Sequence, residues 1–200
     1  MVDPVNASRL TGLGAVNIIL NAYGEANVTR TDQTANAIKA TNHLERTLTQ
    51  VAAERDWDSH LTKMVTLTKG TNNKIVISDD IIEIIPLGQD RNVRVAIKNG
   101  LLFNRDDQTF LWDHSVQADV TRLLGFEDLT QQAAYYVAHR AALAFLNAEK
   151  PDDPSIRNVE RATQNALISL EQADYRQRPG TLVDKSPHFN RMRSRRRRSV

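Results

Sequence analysis

Apolar residues recur at three- and four-residue steps through Leu10, Leu13, Val16, Leu20 and Tyr23, the period of one helix face, with Asn17 and Asn21 near its edge. Gly24 follows the last of them, where a residue without a side chain can close a helix in the left-handed conformation. Residues 25–31 then read as the turn before a second helix. That second run, about residues 32–57, places Ile38, Thr41, Leu44, Leu48, Val51 and Ala52 on one side. Lys39, Asn42, Glu45, Arg46, Gln50 and Glu54 fall largely on the other. Neither helix can bury its stripe alone, so the two are expected to pack on each other and on further helices.

The period then shortens to two. Thr62, Met64 and Thr66 alternate with Lys63, Val65 and Leu67, and β-branched runs follow at 74–77, 81–85, 93–97 and 116–123. Turn signals separate them: Lys69-Gly-Thr-Asn-Asn73, Pro86-Leu-Gly88 and Asn99-Gly100. The last is the strongest, because both central residues of a type I′ turn need positive φ, and it predicts a hairpin of 93–98 with 101–104. Together these segments predict one small antiparallel sheet of about five strands over residues 61–126. A sheet of that size makes a marginal core, so it is expected to lean on the helices or on a neighbouring subunit.

Helical periodicity returns at Asp128, which with Gln131 resembles a capping box. Ala133, Ala134, Val137, Ala141, Ala144, Phe145 and Ala148 form a small-residue face suited to close helix approach. A fourth helix is predicted to start at Asp153-Pro154, aspartate capping and proline in the first helical position, where its missing N–H costs nothing. Its stripe is Ile156, Val159, Thr163, Ala166, Leu167, Leu170 and Ala173, and Pro179-Gly180 ends it. The fold class is α+β: a four-helix bundle from residues 1–60 and 127–178, an inserted β-rich module at 61–126, and a flexible basic carboxy-terminal arm at 179–200.

Charge sharpens the reading of that arm. The net charge of +2 hides a division: residues 184–200 carry Lys185 and six arginines against Asp184, or +6, which leaves −4 for the rest of the chain. Like charges this dense resist folding alone, so the segment is expected to stay disordered until it meets something anionic. Arg191, Arg193, Arg195, Arg196, Arg197 and Arg198 are the candidate partner-binding residues, since guanidinium forks pair bidentately with carboxylate or phosphate. No aromatic residue interrupts them, which disfavours stacking on single strands. Elsewhere composition is ordinary, with 40% apolar and 25% charged residues over a length of 200. That length suits one domain, or one domain with an insertion. No apolar run is long enough to span a bilayer, so no membrane partner is expected. Met-Val-Asp-Pro at the start lacks the basic and apolar regions of a signal peptide. The absence of cysteine removes disulfides and thiolate chemistry and fits folding in a reducing cytosol.

Candidate chemistry is sparse. His43, His60, His114, His139 and His188 show no metal-ligand spacing. The pairs Asp79-Asp80, Asp106-Asp107 and Asp152-Asp153 sit where turns or caps favour aspartate for backbone hydrogen bonding, and that use is preferred to acid–base catalysis. Gly12-Leu-Gly14 is at most a fragment of a phosphate loop, with no strand before it and no Gly-Lys-Ser/Thr. No Gly-x-Ser-x-Gly occurs. Trp57 and Trp112 read as core or interface anchors. No catalytic, cofactor or metal residues are assigned, and no enzymatic activity is expected.

Ala15-Val-Asn-Ile-Ile-Leu with Tyr23-Gly-Glu25, Arg55-Asp-Trp57, Ile77-Ser-Asp-Asp80, and Arg122 to Glu127 leading into the Ala-rich helix occur in order over residues 13–150. Together they resemble the tail tubular protein A family of short-tailed phages, the adaptor or gatekeeper proteins of podovirus tails. Asp56 stands where that pattern has glycine, Leu129-Thr130 where it commonly has proline, and the arginine-rich end lies outside it. The resemblance implies a subunit of a dodecameric ring that joins the portal to the tubular nozzle, helps seat tail fibres and surrounds the channel for genomic DNA. It also implies a helical bundle bearing a β-rich insertion. The competing reading is a small nucleic-acid-binding protein acting through its arginine-rich end; a wall-degrading virion enzyme has no support in the residues.

Overall fold

The computed structural model describes residues 9–54, 57 and 61–177. The Pro179-Gly180 stop and the basic arm lie outside these residues, as do Arg55, Asp56 and His60. The elements run α1 (Gly12–Tyr23), α2 (Ala35–Glu54), β1 (Leu61–Leu67), β2 (Ile81–Pro86), β3 (Val95–Lys98), β4 (Leu101–Asn104), β5 (Val116–Arg122), α3 (Gln131–Glu149) and α4 (Ile156–Gln177). Single 3₁₀ turns occur at Gly88–Asp90 and Phe126–Asp128. The class is therefore mixed helix and sheet, with the strands between the second and third helices, as the change of period predicts.

Local chemistry sets the ends of α1. The Thr11 hydroxyl accepts from the Gly14 amide, and Gly24, at φ +90°, donates its own amide to the carbonyls of Leu20 and Asn21. A residue with a Cβ would be strained there. At the other end of α2, the Trp57 indole donates to the Val51 carbonyl at 3.0 Å, and the ring is buried beside Tyr136. One tryptophan thus satisfies a carbonyl of the last helical turn and fills the core.

The helical core is centred on α3, against which α1, α2 and α4 all pack. Ala133, Ala134, Ala138, Ala141 and Ala142 are buried and let the neighbouring helices approach closely. Phe145, fully buried, meets Tyr23 of α1 and His43 of α2 edge-on at 5.2 and 5.4 Å. Because α3 is covered on more than one side, Tyr136, Ala138, Ala142 and Leu146 are buried outside the predicted stripe, whereas Ala144 and Ala148 are exposed. The predicted face of α2 is also rotated: Ala37, Ala40, Leu44, Thr47 and Val51 face the core and Ile38 is 48% exposed. Small alanines occupy the close contact, where an isoleucine would hold the helices apart.

Two helix starts differ from the prediction. Thr130, not Asp128, caps α3 by accepting from the Ala133 amide, while Asp128 lies in the preceding 3₁₀ turn. Gln131 is recruited elsewhere, its Oε1 accepting from the Leu10 amide at 3.1 Å. Asp153 Oδ1 accepts from the Ser155 amide at 2.8 Å and so caps a turn ahead of α4. The helix itself begins at Ile156, because the first four-residue hydrogen bond runs from Val159 to the Ser155 carbonyl.

Among the described residues the strands form two sheets rather than one. β5 is central between β1 and β2, all antiparallel, and β3 pairs only with β4. Asn99 and Gly100, at φ +54° and +68°, turn the β3–β4 hairpin, with Lys98 opposite Leu101. Residues 74–77 contribute isolated bridges instead of a strand, one between Ile75 and Lys69 and one between Val76 and Leu101. The chain turns at Ser78, whose carbonyl accepts from the Ile81 amide, before a ladder can grow. In β1 the alternation breaks where Met64 takes φ +55° and donates its amide to Asp119 Oδ1 at 2.8 Å, the bulge between Thr62 and Val65. Val116, Ala118 and Val120 of β5 point together into a second apolar core with Ile75, Leu102 and Trp112. The Trp112 indole donates to the Leu102 carbonyl at 3.1 Å.

Candidate functional site

Four carboxylates of the acidic pairs are engaged in local structure. Asp80 bonds to the Ser78 hydroxyl and to Arg122, and these two partners, in that order, hold its carboxyl below the usual range. Asp106 is lowered first by the Arg94 amide, which donates to it at 2.8 Å, and then by the Arg94 guanidinium. Asp107 accepts from the Asn104 side-chain amide. Asp153 is lowered by the adjoining Ser155, its side chain and then its amide, the amide donating to the carboxylate at 2.8 Å. Asp80, Asp106, Asp107 and Asp153 are thereby tied to a turn or a neighbouring side chain, the use expected of these residues.

The histidines are dispersed. Burial pushes the imidazoles of His43 and His139 below their ordinary value, and Arg46 adds to the effect at His43. His139 stacks on Tyr135. His114 Nε2 lies 2.9 and 3.1 Å from the two oxygens of buried Asp90, joining the loop before β5 to the 3₁₀ turn after β2. His188, like His60, lies outside the described residues. Among the described residues, no group of three or more His, Asp or Glu is placed to hold a metal. In Gly12-Leu-Gly14, the fragment of a phosphate loop, both glycine amides are already used: Gly12 donates to Glu127 Oε1 at 2.7 Å and Gly14 to Thr11. A carboxylate of the same chain occupies the position an anion would take.

What remains is surface. Arg191, Arg193, Arg195, Arg196, Arg197 and Arg198 lie outside the described residues. Within them, large apolar side chains stay exposed at Ile38 of α2, Tyr135 of α3, and Ile168 and Tyr175 of α4. In the β part the exposed set is Met64, Val76, Ile85 and Leu111, with Met64 and Val76 at 74%. Ile38 is a surface residue that its bulk alone does not reveal; the spacing of Ala37, Ala40, Leu44 and Val51 marks the buried face. α4 is the least covered helix: over 22 residues only Leu170 and Asp174 are buried among its described side chains. Charged contacts brace the other helices, Glu54 of α2 with Arg140 of α3 and Lys39 with Glu149 at 2.8 Å. The first pairing lowers the Glu54 carboxyl and raises the Arg140 guanidinium. No helix among the described residues is long and apolar enough to cross a membrane.

No curated protein matches the chain. The sequence profile of the family described as "Tail tubular protein" matches residues 13–180, most of the length and both the helical and the β elements. On that match, which agrees with the motif series over residues 13–150, the chain belongs to the tail tubular protein family of phage tail structural proteins.

Proposed function

We propose that this chain is a non-enzymatic adaptor, one subunit of a ring, with twelve copies the expected number, that joins the portal to the tubular nozzle of a short phage tail. The observation that carries the proposal is the family match across residues 13–180, on a fold whose helices and strands both leave large apolar side chains exposed. In this reading residues 1–60 and 127–178 form the helical bundle that stands beside its copies, and the inserted 61–126 module meets the nozzle or a tail fibre. Genomic DNA passes through the lumen.

The carboxy-terminal arm, 179–200, then reaches another chain; twenty extended residues span about 65 Å. Arginines in many copies around a narrow pore would hold sliding DNA by its phosphates. We therefore assign 191–198 to an acidic portal surface away from the narrowest part of the channel. Deleting residues 190–200 is expected to abolish portal attachment while circular dichroism and melting stay as in the full chain. Complete tails assembled from the truncated protein would refute it. The arginine run also favours a second reading, nucleic-acid binding by a monomer. Gel-shift titration against salt separates the two, since tight binding at physiological salt that is lost with the arm supports only the second.

A further inference from the structure

Two surface features lie on outer flanks of the helical part. On α2, Ile38, Asn42, Glu45, Arg46 and Thr49 recur at three- and four-residue steps on the side away from the buried face. Beside α4, Pro151, Asp152, Pro154, Ile156, Arg157 and Glu160 line an open hollow of about 520 Å³ at the α3–α4 turn. Among the described residues the substantial packing of α4 is against α3 alone, so its outer flank and that of α2 are separate surfaces.

Their heights along the bundle are fixed by contacts already described. Lys39 pairs with Glu149 and Glu54 with Arg140, so α2 and α3 are antiparallel. Thr163 Oγ1 donates to the His139 carbonyl at 3.1 Å, and the short connection after Glu149 makes α3 and α4 antiparallel as well. α2 and α4 therefore run parallel. Lys39 stands level with the α3–α4 turn, and His43, which touches Phe145, stands level with the first turn of α4. Ile38 is thus at the height of the hollow, and Glu45 and Arg46 are at the height of Arg157 and Glu160.

We propose that Ile38 of one subunit enters the α3–α4 hollow of the next copy of this chain, with Glu45 facing Arg157 and Arg46 facing Glu160. The occupant is a second copy because a rotation about an axis along the bundle preserves height, and the two surfaces meet that condition with opposite charges in register. Pairing of like surfaces, α2 with α2 or hollow with hollow, would bring neither Glu45 to Arg157 nor Arg46 to Glu160. The contact is therefore head-to-tail, the kind that closes a ring. This inference rests on the ring reading above and specifies its lateral interface.

The chain contains no cysteine, so a disulfide can report the contact without background. Full-length protein carrying Ile38→Cys and Asp152→Cys, assembled on portal and oxidised, is expected to give a reducible ladder of dimers and higher multiples. Rings seen by microscopy that yield no ladder overturn the interface and leave the ring reading standing; wild-type protein that forms no ring with portal overturns both. Glu45→Arg and Arg157→Glu should each lower the assembled fraction about fivefold or more at low salt, and the double variant should restore most of it. Single variants that assemble like wild type, or a double variant no better than the worse single one, overturn the pairing.

Discussion

Asn17 offers the sharpest test of how the helical part is held together. Its Oδ1 accepts from the Val28 amide at 2.8 Å and its Nδ2 donates to the Val28 carbonyl at 3.1 Å. One side chain on α1 thereby satisfies both backbone groups of a residue that is only 6% exposed, in the loop leading to α2. Replacement by alanine strips a buried donor and a buried acceptor of their partners, each loss costing about 1–3 kcal/mol. Asn17 is itself half-buried and water can reach part of the gap, so the lower half of the summed range, about 2–4 kcal/mol, is expected. Asn21, one turn on and equally polar in sequence, is exposed, and Asn21→Ala should change stability by less than about 0.5 kcal/mol. Urea unfolding of dilute protein by circular dichroism measures both, and hydrogen exchange at the Val28 amide localises the effect. Asn17→Asp keeps an acceptor but loses the donor to the carbonyl, and should fall between wild type and Asn17→Ala. Equal midpoints for Asn17→Ala and Asn21→Ala, with Val28 exchange unchanged, would refute the assignment of the loop clamp to this side chain.

Other expectations are as direct. Phe145→Ala, which removes a fully buried ring from between Tyr23 and His43, should cost about 3–5 kcal/mol in the same urea assay. Gly24→Ala and Gly100→Ala place a Cβ on backbone at φ +90° and +68°, and each should lose about 1–2 kcal/mol, seen as a lower melting temperature. The pH dependence follows from His43 and His139, whose imidazoles are depressed by burial. The unfolded chain binds protons on these rings more readily than the folded chain, so stability should fall as pH drops below the ordinary histidine range toward the folded values, and hold above it. His139→Gln should flatten that acid-side slope; an unchanged slope in a series of melts from pH 7.5 to pH 5, about the window in which histidine titrates, would show that burial of this ring is not its cause.

Much of the fold follows from residue order alone. Helix period and strand period differ, so the chain's division into helices, strands and helices again was readable, and so were the closures at Gly24 and Asn99-Gly100, where backbone φ restricts the residue. Helix caps were less readable, because Asp128, Thr130 and Gln131 all carry suitable side chains and only a competitor from elsewhere, the Leu10 amide, decides which one is used. The candidate site divides in the same way. The arginine run at 191–198 is a property of sequence, whereas the use of Asp80, Asp106 and Asp153 depends on which cation, hydroxyl or amide the fold brings within hydrogen-bond reach.

By itself the sequence determined the kinds of element, their order, and the membership in a tail protein family, because period, turn chemistry and motif spacing are written along one dimension. Tertiary structure decided which face of α2 is buried, that the strands split into a three-stranded and a two-stranded sheet, and that Ile38 and the α3–α4 hollow share a height. Those outcomes turn on contacts between residues far apart in the chain, where close packing favours alanine over isoleucine and a turn at Ser78 halts a ladder. No local pattern carries that information, since each depends on what the neighbouring element places opposite.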